Sequence, residues 1–425
     1  DAAGYVIRSP YEDVIWDGEE AWGAYKGSLH SHSSYSDAED TLDVMVKEAY
    51  RQNYDFLAVS DHGITGVEWD KQPYMPPLYF YQPIIDNPFA SLSSVDYQEI
   101  LNGTYLNRGR GMTPVLGANE FNNLSLSKNH VNGYFLAPDQ GNGFIGAENE
   151  IGYEQAIAYI ENCGGLSHIN HPGDWIDSNS NPEAVYDPYN IELFGNLLLK
   201  YKSCLGIEVF NENNGVTGYD RILWDNLLLH CLPYGKTVIG FSNTDAHRTG
   251  RVDSSYSIFM MEENNSENIK KTMQTGAFFG VTRNLRANDI IGPEKNIEAM
   301  NTDLPAPMFT RLTVEDHSIC VEARDSETVQ FIADGKVIYQ TEIGEQPVVL
   351  DLDQIAGAQS FSYVRIELFG EGGLCFSQAL VLDNGEEPLT YEEPEQSPIQ
   401  QIWLQFKGTK LYTVLAELIK AIQGK

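Results

Sequence analysis

Seven of the nine histidines in this 425-residue chain fall into four short polar clusters. The first is Ser28-Leu29-His30-Ser31-His32, followed by Ser36-Asp37. The second is Ser60-Asp61-His62-Gly63. The third is looser: Asn119-Glu120, Asn129-His130, then His168-Ile169-Asn170-His171-Pro172-Gly173. The fourth is Ser242-Asn243-Thr244-Asp245-Ala246-His247. Imidazole and carboxylate are the usual protein ligands of zinc, manganese and iron. In an extended segment, residues i and i+2 face the same way. His30 with His32, and Asp245 with His247, can therefore each grip one ion or two neighbouring ions. One such pair is a weak signal, whereas four clusters that absorb most of the histidines are a strong one. Whatever the fold, it must bring residues 30 and 247 into one place.

Strand and helix patterns alternate up to about residue 283 in a way that can do this. Residues 41–52 place Leu42, Met45, Val46 and Ala49 on one helical face, with Asp40 or Thr41 as the cap. Strands are expected at Phe56–Val59, Pro114–Leu116, Gly165–Ile169, Leu205–Phe210, Val238–Phe241 and Phe278–Val281. Helices are expected at 152–162, at 218–233 and from a Ser266 cap to Thr275. This alternation predicts parallel strands with crossover helices, and the polar clusters then sit at carboxyl ends of strands. In a βα barrel those ends converge on one face. A doubly wound open sheet would gather fewer of them. The segment Ile64–Met112 breaks the rhythm; it is rich in proline and aromatics and shows no clear helix. A substrate-contacting lid and a packed surface excursion are both open for it.

The character changes near Pro305. Seven short strand patterns follow, with Asp334-Gly335 as a hairpin signal. The expected organisation is a barrel over 1–300 carrying the 64–112 insertion, a small antiparallel β domain over 305–385, and a tail over 386–425. That tail reads as an acidic, proline-rich linker and an amphipathic helix at 409–423, built on Leu411, Val414, Leu415, Leu418, Ile419 and Ile422. Such a helix needs a partner surface, on its own chain or another copy, so a homo-oligomer through the helix or the β domain is open.

Charge narrows the partners. With 27 basic and 61 acidic residues the net charge is −34, which repels phosphate backbones and disfavours long nucleic acid. A small anion can still bind if arginines or metal ions supply local positive charge. No run of 18 apolar residues exists, so no membrane span is expected. The five cysteines are scattered and lack C-x-x-C spacing, which reads as buried filler. Free thiols lean toward a cytoplasmic setting. The chain begins at Asp1 rather than Met, so export with removal of a leader stays open.

The order H-x-H, D-H-G, Glu…His, N-H-P-G, D-x-H across residues 28–247 resembles the PHP superfamily, the polymerase and histidinol phosphatase domain. The segment Tyr363-Val364-Arg365-Ile366-Glu367, followed by Gly370-Glu371-Gly372-Gly373, also resembles a stretch found after PHP domains of this size. The resemblance implies an α/β fold, a distorted seven-stranded TIM-like barrel, with two or three divalent ions (zinc, manganese or iron). It implies phosphoester hydrolysis of a small phosphorylated substrate, a phosphomonoester or nucleotide. Carried over residue by residue, His30, His32, Asp37, His62, Glu120, His130, His171, Asp245 and His247 would be metal ligands. Glu120 would bridge ions, and Asp37 stands where the family has His or Asp.

In that chemistry a metal-held water loses a proton near neutral pH and attacks phosphorus in line, while the cations neutralise developing charge. Glu120, Asp245 and Asp61 are the expected catalytic residues; for Asp61 an outer hydrogen bond to a ligand is the plainer reading. Arg248 and Arg283 are candidate phosphate clamps, with ordinary ion pairs as the alternative. Asn170 and Glu208 are candidate substrate contacts, with turn structure as the alternative for Glu208. His168 reads as core, and His230 and His317 as structural. Two other functions remain: an amidohydrolase-like C–N hydrolase, and a non-catalytic metal-binding module. The first usually wants a bridging carbamylated lysine, and no lysine sits among the clusters. The complete ligand set counts against the second.

Overall fold

A computed structural model describes residues 4–75, 89–123, 128–143, 145–211, 218–283, 304–394, 398–409, 411–412 and 415. Most of the helix expected at 409–423 lies outside these residues. The elements run β1 (Val6–Arg8), β2 (Gly23–Ser28), α1 (Leu42–Arg51), β3 (Phe56–Leu57), α2 (Ser94–Asn102), β4 (Thr113–Pro114), β5 (Asn119–Phe121) and β6 (Val131–Tyr134). Next come α3 (Ile151–Asn162), β7 (Leu166–Ile169), α4 (Pro172–Trp175), α5 (Pro188–Lys200), β8 (Cys204–Phe210), α6 (Asp220–Cys231), β9 (Ile239–Ser242), β10 (Ser255–Met261), α7 (Ser266–Thr275) and β11 (Phe278–Thr282). The last third holds β12 (Met308–Glu315), β13 (Ser318–Arg324), β14 (Thr328–Ala333), β15 (Lys336–Glu342), β16 (Val348–Asp351), β17 (Tyr363–Gly370), β18 (Gly373–Phe376), β19 (Leu380–Asp383) and α8 (Pro398–Lys407).

Local chemistry explains several boundaries. Helix α1 buries Leu42, Met45, Val46, Ala49 and Tyr50, one face of a 3.6-residue period. Asn265, not Ser266, caps α7: its side chain accepts from the Asn268 N–H, and left-handed Gly276 ends the helix. The insertion does contain a helix. In α2 the Ser93 side chain accepts from the Asp96 N–H, and Gly103 at φ 77° stops the run. The Asp334-Gly335 hairpin is as expected. Both residues have positive φ, and Ala333 pairs with Lys336 across the two-residue turn.

The fold is mixed α/β with three sheets of eleven, five and three strands. The expected all-parallel alternation is only partly present. Pairs β2–β3, β3–β4, β7–β8 and β8–β9 are parallel. Pairs β5–β6, β6–β7 and β2–β10 are antiparallel. The expected barrel does not appear as one continuously paired sheet among the described residues. The site-bearing strands belong to two sheets, which two isolated parallel bridges join: Ser31 with Ala246, and His62 with Glu120. Both bridges involve residues of the polar clusters or their immediate neighbours.

The C-terminal strands extend the first sheet, because β18 pairs with β11 and β17 with β18. Tyr363, Phe369, Leu374 and Phe376 share one apolar core with α3, α5 and α6. Helix α8 lies against the start of α3, where Lys407 pairs with Glu150 at 2.9 Å. No helix among the described residues is long and apolar enough to cross a membrane.

Candidate metal centre

All nine expected ligand residues meet at one place. His30 and His32 follow β2, and their Nε2 atoms lie 3.2 Å apart. Backbone bonds from His32 N to Ala246 O and from Asp245 N to His30 O hold the first and fourth clusters together. Gly63 N bonds Glu120 O, and Glu120 N bonds Ser60 O, which ties the second cluster to β5. Glu120 stands at the centre. Its Oε2 lies 3.2 Å from His30 Nε2, 3.0 Å from His32 Nε2 and 3.2 Å from His62 Nδ1. Its Oε1 lies 2.9 Å from His130 Nδ1 and 3.4 Å from His171 Nε2. Asp245 Oδ1 is 3.2 and 3.0 Å from His30 and His32. Asp37 Oδ2 is 3.4 Å from His62 Nε2 and 3.3 Å from His247 Nε2.

These spacings also suit the ligand atoms of a shared cation. A cation held at about 2.1 Å sets its ligand atoms about 3.0–3.4 Å apart. His62 Nδ1, both nitrogens of His130, His171 Nδ1 and Asp245 Oδ1 are buried without a hydrogen-bond partner. His130 Nδ1 is within reach of Glu120 yet makes no aligned hydrogen bond. Buried polar atoms left in this state are costly, and a metal ion would satisfy them. Three overlapping groups have one donor atom per residue within 4.8 Å of the others: His32-Asp37-His62-His247, His30-His32-Glu120-Asp245 and His62-Glu120-His130. His32, His62 and Glu120 each belong to two of them. The backbone is strained at two of the nine positions, His171 at φ 25° and Asp245 at φ 46°.

Electrostatics follow from the crowding. Burial opposes charge on His32, as does neighbouring His247, yet the adjoining Asp245 and Glu120 carboxylates lift it to about 9. Burial opposes charge on His171 too, and Glu120 lifts it to about 9. Burial resists ionisation of Glu120, and His30, His130 and His62 overcome this and hold it well below the usual carboxylate range. His130 is pushed down, mainly by burial. Without cations, the carboxylates must recruit protons onto the imidazoles.

A shell of neutral and acidic side chains fixes these groups. Glu208, expected as a substrate contact, is fully occupied instead. It accepts from or faces His30 Nδ1 at 2.8 Å, His171 N at 3.0 Å, Asn211 Nδ2 at 2.8 Å and Asn243 Nδ2 at 2.9 Å. That contact sets the ring orientation of His30 and leaves Nε2 for the centre. Asn170 donates to Glu120 Oε1 at 2.7 Å and to Asn132 Oδ1 at 2.9 Å, so it orients the central carboxylate rather than facing outward. Asp61 accepts from Ser33 N, Ser33 Oγ and Ser36 Oγ at 2.6–2.7 Å. Ser36 Oγ lies 3.3 Å from His32 Nδ1. Asp61 thus braces the loop that carries His32 and Asp37.

The two arginines differ. Arg248 sits one residue after His247, half-exposed and 3.8 Å from Glu39. Arg283 is nearly buried, with Nε on Asp253 at 3.0 Å and Nη1 on Leu304 O at 2.6 Å. That commitment removes those donors from a phosphate clamp. His168 is core, stacked 4.5 Å from Phe241 and 2.8 Å from Tyr134 OH, and burial pushes its pKa down to about 4. Two supporting residues escaped the sequence reading. Asn243 lies inside the fourth cluster but was given no role. Asp220, which accepts from Gly173 N at 3.1 Å beside His171, carries no motif at all.

No protein-family model matches the chain, and no curated protein is significantly similar to it. Solved structures resemble it distantly. A two-domain protein containing a predicted PHP-like metal-dependent phosphoesterase, from Bacteroides vulgatus, is 14% identical with a TM-score of 0.42, over 87% of this chain and 98% of that one. A lesion-specific endonuclease from Pyrococcus furiosus is 13% identical with a TM-score of 0.34, over 59% and 56%. An amidohydrolase from Chromobacterium violaceum is 14% identical with a TM-score of 0.28, over 52% and 87%.

Proposed function

We propose that the chain is a metal-dependent hydrolase that cleaves a small phosphate ester, a phosphomonoester or a nucleotide. One observation carries this reading: the three donor groups overlap through His32, His62 and Glu120, so two or three ions would lie side by side. Imidazole and carboxylate donors suit zinc, manganese or iron. Bound there, such ions would supply an activated water and neutralise charge on a transferring phosphoryl group.

The chain's own groups do the rest. His30, His32, Glu120 and Asp245 form the most enclosed group, and His62 and His130 extend it through Glu120. Asp37, His62 and His247 face the more open side, where Asp37 and His247 are each partly exposed. His171 approaches Glu120 from the strained turn after β7. Glu208 and Asn170 hold ring and carboxylate orientations, and Asp61 fixes the His32–Asp37 loop through Ser33 and Ser36. Arg248 remains the candidate cation for an anionic substrate, since its pairing with Glu39 is loose and solvent-exposed. The two isolated bridges support reading β2, β3 and β5–β9 as a distorted barrel around the centre.

Metal analysis of the purified protein, paired with hydrolysis of an aryl phosphate with and without manganese, tests this. At least two ions per chain are expected. Asp245→Asn and His32→Ala should each cut turnover about a thousandfold, the several kcal/mol that a catalytic metal supplies. Stoichiometric metal with no turnover of any phosphate ester would favour C–N hydrolysis or a binding role.

A further inference from the structure

One buried side chain near the centre has no structural explanation. Asn122 follows β5 and is 1% exposed, and neither its Oδ1 nor its Nδ2 has a hydrogen-bond partner among the described residues. Its backbone is fixed, because Asn122 O accepts from Ile145 N at 3.0 Å.

Strand alternation shows which way it faces. Asn119 donates to Thr65 Oγ1 and Gly141 O, and Phe121 lies against the same Gly141. Asn123 donates to Asn129 Oδ1 at 2.8 Å. These odd-numbered residues point away from the metal ligands. Glu120 points into them. Asn122, one residue past the end of β5, shares the parity of Glu120, so continued alternation would carry its side chain to the side of the metal ligands, at the carboxyl end of the strand. An amide kept buried and unpaired destabilises the fold, so its polar atoms are held for something the protein binds.

We propose that Asn122 is a substrate-binding residue, whose Nδ2 donates to a non-bridging oxygen of the phosphoryl group. This rests on the phosphoesterase reading above and adds the neutral donor that an acidic site needs beside its cations. A neutral amide suits the role, since a second arginine at that depth would compete with the metal ions for Glu120.

The test uses the manganese-loaded full chain and inorganic phosphate as the probe, with binding read by calorimetry. Asn122→Leu removes both polar atoms while keeping the branched outline of the side chain. The variant should keep its metal content and a thermal midpoint equal to or above wild type, while phosphate binds about tenfold more weakly, the loss of one hydrogen bond to a charged acceptor. Asn122→Asp should weaken it further by repulsion. Unchanged phosphate affinity in the Leu variant would overturn the assignment and leave the phosphoesterase reading intact. Lost metal in the Leu variant would overturn it by making Asn122 a ligand. A metal-loaded wild type that binds no phosphate would overturn both.

Discussion

Two of the buried charge clusters among the described residues are built on opposite plans. In the first, α6 meets β17. Arg365 grips both oxygens of Asp225 at 2.7 Å, and its Nη1 reaches Glu367 at 2.5 Å. Arg221 adds 2.8 Å to the same Glu367, and Tyr363 OH adds 2.5 Å to Asp225. Two guanidinium groups answer two carboxylates. The second is the histidine–carboxylate centre, where Glu120, Asp37 and Asp245 converge and no arginine or lysine answers them in any ion pair among the described residues. Its imidazoles face the carboxylates at ligand spacing, with several nitrogens unpartnered. A cluster that closes its own charge holds the fold together. A cluster with no arginine or lysine of its own suits cations from outside.

The largest expected effect breaks the first cluster. Arg365→Met leaves Asp225 and Glu367 buried and half-answered, and should cost about 3–5 kcal/mol of stability. Denaturant unfolding measures it. Metal content per chain should stay at the wild-type value, because none of the nine ligands lies in this network. Adding Asp225→Leu should recover part of the loss, since an apolar pair tolerates burial better than a lone charge. A variant that loses metal in proportion to stability would erase the distinction between the two clusters.

A middle-sized effect probes the second cluster from behind. Glu208→Gln keeps the size of the side chain but cannot accept from His171 N, Asn211 and Asn243 while also facing His30 Nδ1. Metal affinity should fall about 10–100-fold, the usual cost of losing an orienting partner. Competition with a chelator measures it. Stability of the metal-free protein should change much less than in Arg365→Met.

The contrast also shows what could be read without coordinates. The candidate ligands in H-x-H and D-x-H were legible because those motifs are local and put donors on one side of an extended segment, whereas Asp37, Glu120, His130 and His171 were assigned through the resemblance to the PHP superfamily. The Asp334-Gly335 turn was legible for the same reason, since two positive-φ residues between strand patterns have few other uses. Pairing was not legible. Strand β10 inserts antiparallel beside β2 although more than 200 residues separate them in sequence, and no local pattern announces that. Glu208 reads from sequence as a substrate contact because it lies near the carboxyl end of a strand. Only the structure shows its carboxylate oxygens already engaged. Asn122 was passed over altogether, because being unpartnered is a property of surroundings, not of sequence. Helix α2 is different: its Ser93 cap, Asp96 and Gly103 stop were all in the sequence, and proline and aromatics nearby obscured them.

A pH series separates the clusters by the sign of their dependence. Glu367 is buried, which resists ionisation, but Arg221 and Arg365 overcome this and hold its carboxyl below the usual 4.5. Its contribution to stability is therefore full above about pH 4.5 and is lost only as pH falls through the lower folded value. His32 and His171 run the other way. Each sits at about 9 in the fold against 6.5 in an unfolded chain. In chelated protein their contribution is full below about pH 6.5 and disappears as pH rises through about 9. Cations bound at the centre replace those protons, so the loss between pH 6.5 and 9 should vanish on loading with manganese. Thermal midpoints of chelated and loaded protein, taken from below about pH 4.5 to above about pH 9, measure both signs. Superimposable curves would mean that the histidines hold neither protons nor ions, and the centre would then be only another closed cluster like the one at Arg365.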